Sequence, residues 1–137
     1  MTRSMTRDDL PVVVEMEEGL FPENSMGEKT LATELSLGMG WVDDDPISGY
    51  LLARHGGGVL DITRLGVSPR ARRRGVGTKL LESALELGHP TILTVRKDNE
   101  AAIRLYWKHG FRIVGHLPLA DAWMMRVDPA KMQPKAG

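Results

Sequence analysis

The chain of 137 residues is long enough for one hydrophobic core and too short for two ordinary domains. Its 18 basic and 18 acidic residues give a formal net charge of zero, which provides no overall attraction to nucleic acid, and the absence of cysteine excludes disulfides, thiolate metal sites and acyl-cysteine intermediates. No signal peptide is recognisable and no apolar run is long enough to cross a membrane, so we expect a cytoplasmic protein that binds neither membranes nor nucleic acid.

Hydrophobic periodicity and turn residues predict alternating strands and helices in a single domain, residues 1–128. In chain order the predicted elements are a strand at 1–5, helices at 8–18 and 27–37, strands at 39–42, 47–54 and 59–67, a helix at 75–87, a strand at 91–96, a helix from 99, and strands at 111–115 and 123–127. Early strands that pair as hairpins, followed by strands joined through helices, favour an α/β fold with a mixed sheet covered on both faces. The polar, proline-containing tail, residues 129–137, is predicted to be disordered.

An arginine-rich glycine turn lies between the strand at 59–67 and the next helix. It reads Arg70-Ala71-Arg72-Arg73-Arg74-Gly75-Val76-Gly77-Thr78. Glycines let an anion approach the free N–H groups of a helix N-terminus, and four arginines there oppose the helix dipole unless an anion lies between them. The turn therefore predicts a phosphate site, the other interpretation being a basic loop in solvent. A dinucleotide fingerprint would need a glycine at Leu80, and a Walker A loop would need Gly-Lys where the chain has Gly-Thr.

A second motif occupies the predicted helix that begins near residue 99. Asp98 or Asn99 can cap its N-terminus, and Gly110 can follow its C-terminus in the left-handed conformation that glycine allows. The residues that form its inner face at helical spacing are Ala102, Leu105 and Tyr106. Taken alone, Tyr106 is typical of an amphipathic core residue.

Together the two motifs resemble those of the GCN5-related N-acetyltransferase (GNAT) family. The turn matches Arg-x-x-Gly-x-Gly, from Arg72 to Gly77, and the helix matches Asn-x-x-Ala-x-x-Leu-Tyr-x-x-x-Gly-Phe, from Asn99 to Phe111. The resemblance implies a mixed sheet of about six to seven strands flanked by about four helices, with a V-shaped splay between the central strands. It also implies acetyl-CoA as the co-substrate, with the turn binding its pyrophosphate.

The resemblance further implies roles for individual residues. Tyr106 would donate a proton to the departing CoA thiolate, and the backbone groups of Leu65 and Val67 would pair with the pantetheine amides. The other residues implied in cofactor binding are Gly66, Arg72, Arg73, Arg74, Gly75, Val76, Gly77, Thr78 and Asn99. Gly66 is costly inside a strand, and it marks either this close backbone approach or a plain bulge.

The base that deprotonates the acceptor amine stays open between two interpretations. Asp61 lies six residues before Val67, where histone-acetylating members of the family carry a glutamate, and strand alternation puts it on the face of Thr63, Leu65 and Val67. An aspartate at the start of a strand can equally be a solvent-exposed residue. Members that acetylate protein N-termini place a glutamate where this chain has Thr94, which could order a water but cannot be the base itself. Deprotonation through water is therefore as consistent with the sequence as Asp61.

Leu20 to Glu23, after an acidic helix, are similar to members that acetylate protein N-termini, including the ribosomal-protein alanine type. We therefore expect direct transfer in a ternary complex to a primary amine, favouring a peptide or protein N-terminal amine over a small-molecule amine. The alternative is a regulatory or interaction module that binds CoA on the same fold without chemistry. A monomer or a homodimer is expected.

The acceptor pocket is expected to be built from three parts: the first two helices, the region of residues 21–40, and the connection at 117–122. Acidic residues could attract a cationic amine there or form a solvated helix face; they are Glu15, Glu17, Glu18, Glu23 and Glu28. The four histidines are widely scattered, which predicts no metal site; they are His55, His89, His109 and His116.

Overall fold

The computed structural model describes residues 1–44 and 46–129. From residue 130 onward, the tail that was predicted to be disordered lies outside the described residues. In chain order the elements are β1 (Thr2–Ser4), α1 (Leu10–Leu20), α2 (Glu28–Leu37), β2 (Met39–Asp43), β3 (Gly49–Gly56), β4 (Val59–Val67), α3 (Val76–Leu85), β5 (Thr91–Arg96), α4 (Glu100–Lys108), β6 (Arg112–Leu117) and β7 (Ala122–Val127). The predicted α/β fold is confirmed, and each predicted strand and helix is present within two residues of its expected ends.

The strands form one mixed sheet in the order β1-β2-β3-β4-β5-β7-β6. Neighbours pair antiparallel except β4 and β5, which are parallel and pair only from Leu60 to Ile62 against Thr91 to Leu93. Beyond Ile62, β4 stays paired to β3 and β5 stays paired to β7, so the two central strands diverge. This divergence is the V-shaped splay that the family resemblance implies.

Helices cover both faces of the sheet and create two cores. On one face α3 and α4 pack over Leu51, Leu60 and Ile62, and on the other α1 and α2 pack over Tyr50 and Leu52. Consecutive residues of β3 thus alternate between the two cores, as the pleat of a strand requires. Among the described residues, no helix combines the length and the apolarity that a bilayer crossing requires.

A β-bulge at Thr63 changes which face the following residues occupy. Leu52 of β3 lies opposite Arg64 and the next residue, Ala53, lies opposite Ile62, so Thr63 is the extra residue. Leu65 therefore shares the α3–α4 face with Ile62 instead of the opposite one. Asp61 lies across from Arg54, which pairs with Glu34 of α2, so the prediction that Asp61 shares a face with Leu65 and Val67 is wrong. One inserted residue reverses the alternation on which that prediction depended.

Gly66 is required by a close contact with a side chain of the neighbouring strand. Tyr50 lies directly opposite Gly66, and a Cβ atom built on Gly66 would lie 2.7–2.8 Å from the ring and hydroxyl atoms of Tyr50. The bulge of this strand is at Thr63 and not at Gly66. The glycine therefore leaves room for Tyr50, which is fully buried between β4 and α1.

We expect Gly66→Ala to lower the free energy of unfolding by about 1–3 kcal/mol, because the added methyl overpacks the site of Tyr50. Gly19→Ala is the matched control, since a Cβ at Gly19 in α1 meets nothing within 4 Å. That control should raise stability by up to about 1 kcal/mol through helix propensity. Urea denaturation measures both, and a Gly66→Ala protein as stable as the wild type would contradict the account.

Candidate active site

The splay between β4 and β5 opens a cleft of about 800 Å³. Its walls are β4 from Ile62 to Leu65, β5 from Leu93 to Arg96, the residues just before α4 together with Tyr106 of that helix, and the loop that follows α1. We call residues 21–24 of that loop the α1–α2 loop. Side chains that line the cleft include Phe21, Glu23, Arg64, Thr94, Asp98, Asn99 and Tyr106. The connection at 117–122, predicted to contribute to the acceptor pocket, does not line this cleft.

Tyr106 is presented to the cleft by α4. The Asn99 side chain caps this helix by accepting the N–H of Ala102 at 3.3 Å, and the buried ring of Tyr106 packs against Phe111 at 5.6 Å between centroids. Among the described residues, the Tyr106 hydroxyl has no hydrogen-bond partner. Every fully buried side-chain polar atom of these residues does have a partner, so the hydroxyl is not fully buried and is open to the cleft. Burial raises the pKa of Tyr106 to about 12. The residue therefore stays a neutral phenol at physiological pH and keeps a proton that it can donate.

The backbone of β4 turns its hydrogen-bonding groups toward the splay at two positions. Ser68 donates its N–H to the carbonyl of Ser48 at 2.8 Å, which makes these residues a hydrogen-bonded pair of the β3–β4 ladder. Such pairs alternate with non-hydrogen-bonded ones, so Gly66 directs its groups to β3, whereas Leu65 and Val67 direct theirs away from it. Among the described residues, no strand pairs with β4 on that side past Ile62. The two residues predicted to bind pantetheine thus present free N–H and C=O groups to the cleft side.

The arginine-rich turn starts directly after β4 and ends at the N-terminus of α3. Gly75 is the N-cap residue of α3 with a φ of 78°, and Arg73 has a φ of 67°, a left-handed conformation that costs a non-glycine residue roughly 1–2 kcal/mol. The side chains of Arg72, Arg73 and Arg74 are exposed. The first N–H groups of α3 have no acceptor inside the helix. Exposed guanidinium groups and free N–H groups are therefore combined at one point, an arrangement that suits a phosphate.

Gly77 and Thr78 form the first turn of α3. A Cβ on Gly77 would be 3.4 Å from the Leu105 side chain of α4 and 3.7 Å from that of Val67, so the glycine lets α3 lie close to both. Val76 is buried in the core beneath. The turn is thereby fixed against β4 and α4, the elements that carry Val67 and Tyr106.

The two candidates for amine deprotonation lie in different places. Thr94 of β5 is exposed and lines the cleft that contains Tyr106. Asp61 does not line the cleft; it is exposed opposite Arg54 on the α1–α2 face. Partial burial raises the pKa of Asp61, and the positive charge of Arg54 acts in the opposite direction. Asp98 does line the cleft, but its hydrogen bond to Arg96 lowers its pKa and makes it a weaker base.

Glu17 was predicted either to lie on a solvated helix face or to attract a cationic amine. The structure instead buries its side chain completely. Its carboxylate accepts the Nε and Nη2 hydrogens of Arg64, each at 3.0 Å, the backbone N–H of Met26 at 2.9 Å, and the hydroxyl of Tyr50. The sequence contained one signal for this burial, because Glu17 follows Leu10 and Val13 at the spacing of the inner face of α1. The other acidic candidates in this region are exposed; they are Glu15, Glu18, Glu23 and Glu28.

Comparison with known proteins agrees with this geometry. The sequence model of the acetyltransferase (GNAT) family matches residues 7–111. Over 76 residues the chain is 38% identical to the N-alpha-acetyltransferase RimI of Mycobacterium tuberculosis, an alignment that covers 50% of this chain and 48% of RimI. An uncharacterized protein of Mycobacterium leprae is 42% identical over 74 residues, which are 48% of this chain and 21% of that protein. The aligned region thus spans half or less of each curated relative.

Solved structures share the fold over nearly the whole chain. The ribosomal-protein-S18-alanine N-acetyltransferase from Escherichia coli superposes with a TM-score of 0.83 at 22% identity, covering 100% of this chain and 96% of that one. The PaiA N-acetyltransferase from Thermoplasma acidophilum, in complex with coenzyme A, gives a TM-score of 0.78 at 16% identity, covering 93% and 98% of the two chains. At such identities these similarities establish the fold.

Proposed function

The chain belongs to the acetyltransferase (GNAT) family, and from this premise we propose that it transfers the acetyl group of acetyl-CoA to a primary amine, preferably the N-terminal amine of a peptide or protein. The observation that carries the proposal is the open edge of β4. The free backbone groups of Leu65 and Val67 lead from the cleft of Tyr106 to the cationic turn. An extended ligand with a phosphate at one end and a reactive group at the other fits such a path.

In this proposal two elements bind acetyl-CoA and a third, α4, positions Tyr106. The turn from Arg72 to Thr78 holds the phosphates, and the β4 edge at Leu65 and Val67 holds the pantetheine amides. Asn99 contributes by capping α4 and so fixing the position of Tyr106. Gly66 keeps the β4 edge in place by accommodating Tyr50 on the strand's other side.

The reaction is direct attack in a ternary complex. The amine nitrogen forms a bond to the thioester carbonyl carbon, the carbon–sulfur bond breaks, and the sulfur takes a proton from the Tyr106 hydroxyl. The N–H of Val67, directed away from β3, is the donor assigned to the thioester oxygen. The proton that the amine loses goes to water, and a proton from water restores the Tyr106 hydroxyl, so the cycle needs no other reactant.

The acceptor class is supported by charge and by the relatives. Glu23 of the α1–α2 loop lines the cleft and is exposed, so its carboxylate favours a cationic group at the mouth, whereas the charge of Asp98 is balanced by Arg96. The relative from M. tuberculosis is named an N-alpha-acetyltransferase, and the E. coli structure is named for an alanine of a ribosomal protein. Both names describe acetylation at a chain end.

The experiment that tests the proposal measures release of free thiol from acetyl-CoA with a panel of acceptors, beside calorimetry of CoA binding alone. We expect release with peptides whose N-terminus is free and little release with the same peptides blocked at the N-terminus but carrying lysine. Tight CoA binding without release for any peptide, polyamine or aminoglycoside would favour a CoA-binding module without chemistry. No CoA binding would overturn the proposal.

Tyr106→Phe should lower kcat by about 100-fold, because proton transfer to the leaving group from a positioned acid contributes at least that factor. The dissociation constant of acetyl-CoA should stay within about twofold, since the ring that fills the cleft wall remains. Trp107→Phe, at the exposed neighbour on the same helix, is the control and should keep the wild-type kcat. An unchanged kcat for Tyr106→Phe would remove this residue from the mechanism.

Asp61→Asn should retain kcat within about twofold, whereas Thr94→Val should lower it by about tenfold, because Thr94 lies in the cleft and can order the water that takes the amine proton. The measurement is the pH dependence of kcat/KM for the acceptor in both variants. A loss of about 100-fold in Asp61→Asn, together with loss of the acidic limb of the profile, would identify Asp61 as the base instead.

A further inference from the structure

The buried carboxylate of Glu17 has more partners than a stabilising ion pair needs. It accepts hydrogen bonds from Arg64, Tyr50 and the backbone of Met26, while Arg64 itself is only 14% exposed. Burying two charges in this way is expensive, and a well-packed apolar pair often stabilises a protein as much or more. Stability is therefore a weak explanation for this cluster, and its position in the molecule suggests another one.

The cluster holds the α1–α2 loop by three contacts. Nη2 of Arg64 donates to the carbonyl of Asn24 at 2.9 Å, and the guanidinium carbon lies 4.1 Å from the centroid of the Phe21 ring. Glu17 binds the N–H of Met26, just beyond the loop, at 2.9 Å. Within the loop, Asn24 donates its N–H to the carbonyl of Phe21 at 3.1 Å. Both ends of the α1–α2 loop are thus attached to one ion pair.

The same cluster is attached to the opposite wall of the cleft. Arg64 belongs to β4 and lies between the bulge at Thr63 and the open edge at Leu65. Because Thr63 is an extra residue, Arg64 faces α1 and Leu65 turns back to the α3–α4 core. With unbroken alternation Arg64 would share the α3–α4 face of Ile62, on the other side of the sheet from Glu17. Tyr50, which donates to Glu17, packs against the backbone of Gly66.

We propose that Glu17 and Arg64 are positioning residues for the acceptor amine: they fix the α1–α2 loop at a set distance from the β4 edge. This inference rests on the proposed function, in which the β4 edge binds acetyl-CoA and the α1–α2 loop borders the acceptor. Neither residue touches the reacting atoms. Their effect is on where the acceptor lies.

Arg64→Lys tests the inference because it keeps the charge and removes the forked donor geometry. We expect the KM for a peptide acceptor to rise about tenfold, the dissociation constant of acetyl-CoA to stay within about twofold, and kcat at saturating acceptor to fall much less than kcat/KM. Arg3→Lys is the matched control. Arg3 forms a two-pronged pair with the buried Asp9, at 2.7 and 2.9 Å, on the far edge of the sheet.

The control should lose thermal stability to a similar extent without a change in acceptor KM. If Arg64→Lys and Arg3→Lys shift acceptor KM equally, or if Arg64→Lys raises acceptor KM and the acetyl-CoA dissociation constant together, the cluster is merely structural and the inference fails. An unchanged acceptor KM in Arg64→Lys overturns it as well.

A second measurement does not depend on catalysis. Hydrogen–deuterium exchange should show the amide of Met26 and the α1–α2 loop exchanging about tenfold faster in Glu17→Gln and Arg64→Lys, with α3 and β7 unchanged. A wild type that turns over no amine would defeat the proposed function, and exchange would still decide whether the pair holds the loop. Exchange that rises uniformly over the chain, or nowhere, would refute the positioning role.

Discussion

In the described part of the chain, the backbone N–H and C=O groups of β4 beyond Ile62 have no strand partner on the β5 side. A buried polar group left without a partner costs about 1–3 kcal/mol. The splay keeps these groups accessible, because a cleft about 800 Å³ in volume lies between the strands. The opening begins where the bulge occurs: Ile62 is the last residue paired with β5 and Thr63 is the extra residue opposite β3. A bulge bends its strand and increases its twist, so this single residue accounts for both the divergence of the strands and the exposed edge.

The two charged features beside this edge differ in how their charge is balanced. Arg64 is largely shielded from solvent and its charge is compensated by the buried Glu17, so its contribution is geometric. The arginines of the turn are exposed at the positive end of the dipole of α3, where they repel both one another and the helix end. Arg73 adds the cost of a left-handed backbone. In the proposed function an anion bound there would relieve these unfavourable terms together, a local effect that does not depend on the zero net charge of the chain.

Local sequence patterns were sufficient to predict the fold. The features that these patterns did not predict depend on contacts between residues far apart in the chain. Hydrophobic periodicity and turn residues located each described strand to within two residues, and the two motifs placed the arginine-rich turn before α3 and Tyr106 on α4. The face of Asp61 was wrong because the register of β4 depends on β3, which the alternation of one strand cannot reveal. Glu17 was visible as an acid on an apolar helix face, but its partner Arg64 is 47 residues away. Gly66 was predicted to mark a close backbone approach or a bulge; the bulge lies at Thr63 instead, and the contact of Gly66 with Tyr50 could be found only from the pairing of β3 and β4.

The protonation chemistry of the cleft bears on the choice of acceptor. In the proposed mechanism Tyr106 supplies a proton at one end of the cleft, and burial keeps its side chain a phenol. At the other end Thr94 occupies the wall where a carboxylate could have acted as base. Asp98 is a weaker base than usual, because the hydrogen bond that it accepts from Arg96 lowers its pKa. An enzyme without a strong base depends on the fraction of acceptor that is already neutral. At pH 7 an α-amino group, with a pKa of about 7.8, costs about 1.1 kcal/mol to deprotonate, whereas a lysine at about 10.4 costs about 4.6 kcal/mol. The difference is about 400-fold in neutral amine, and it favours a chain N-terminus before any residue of the α1–α2 loop contacts the acceptor.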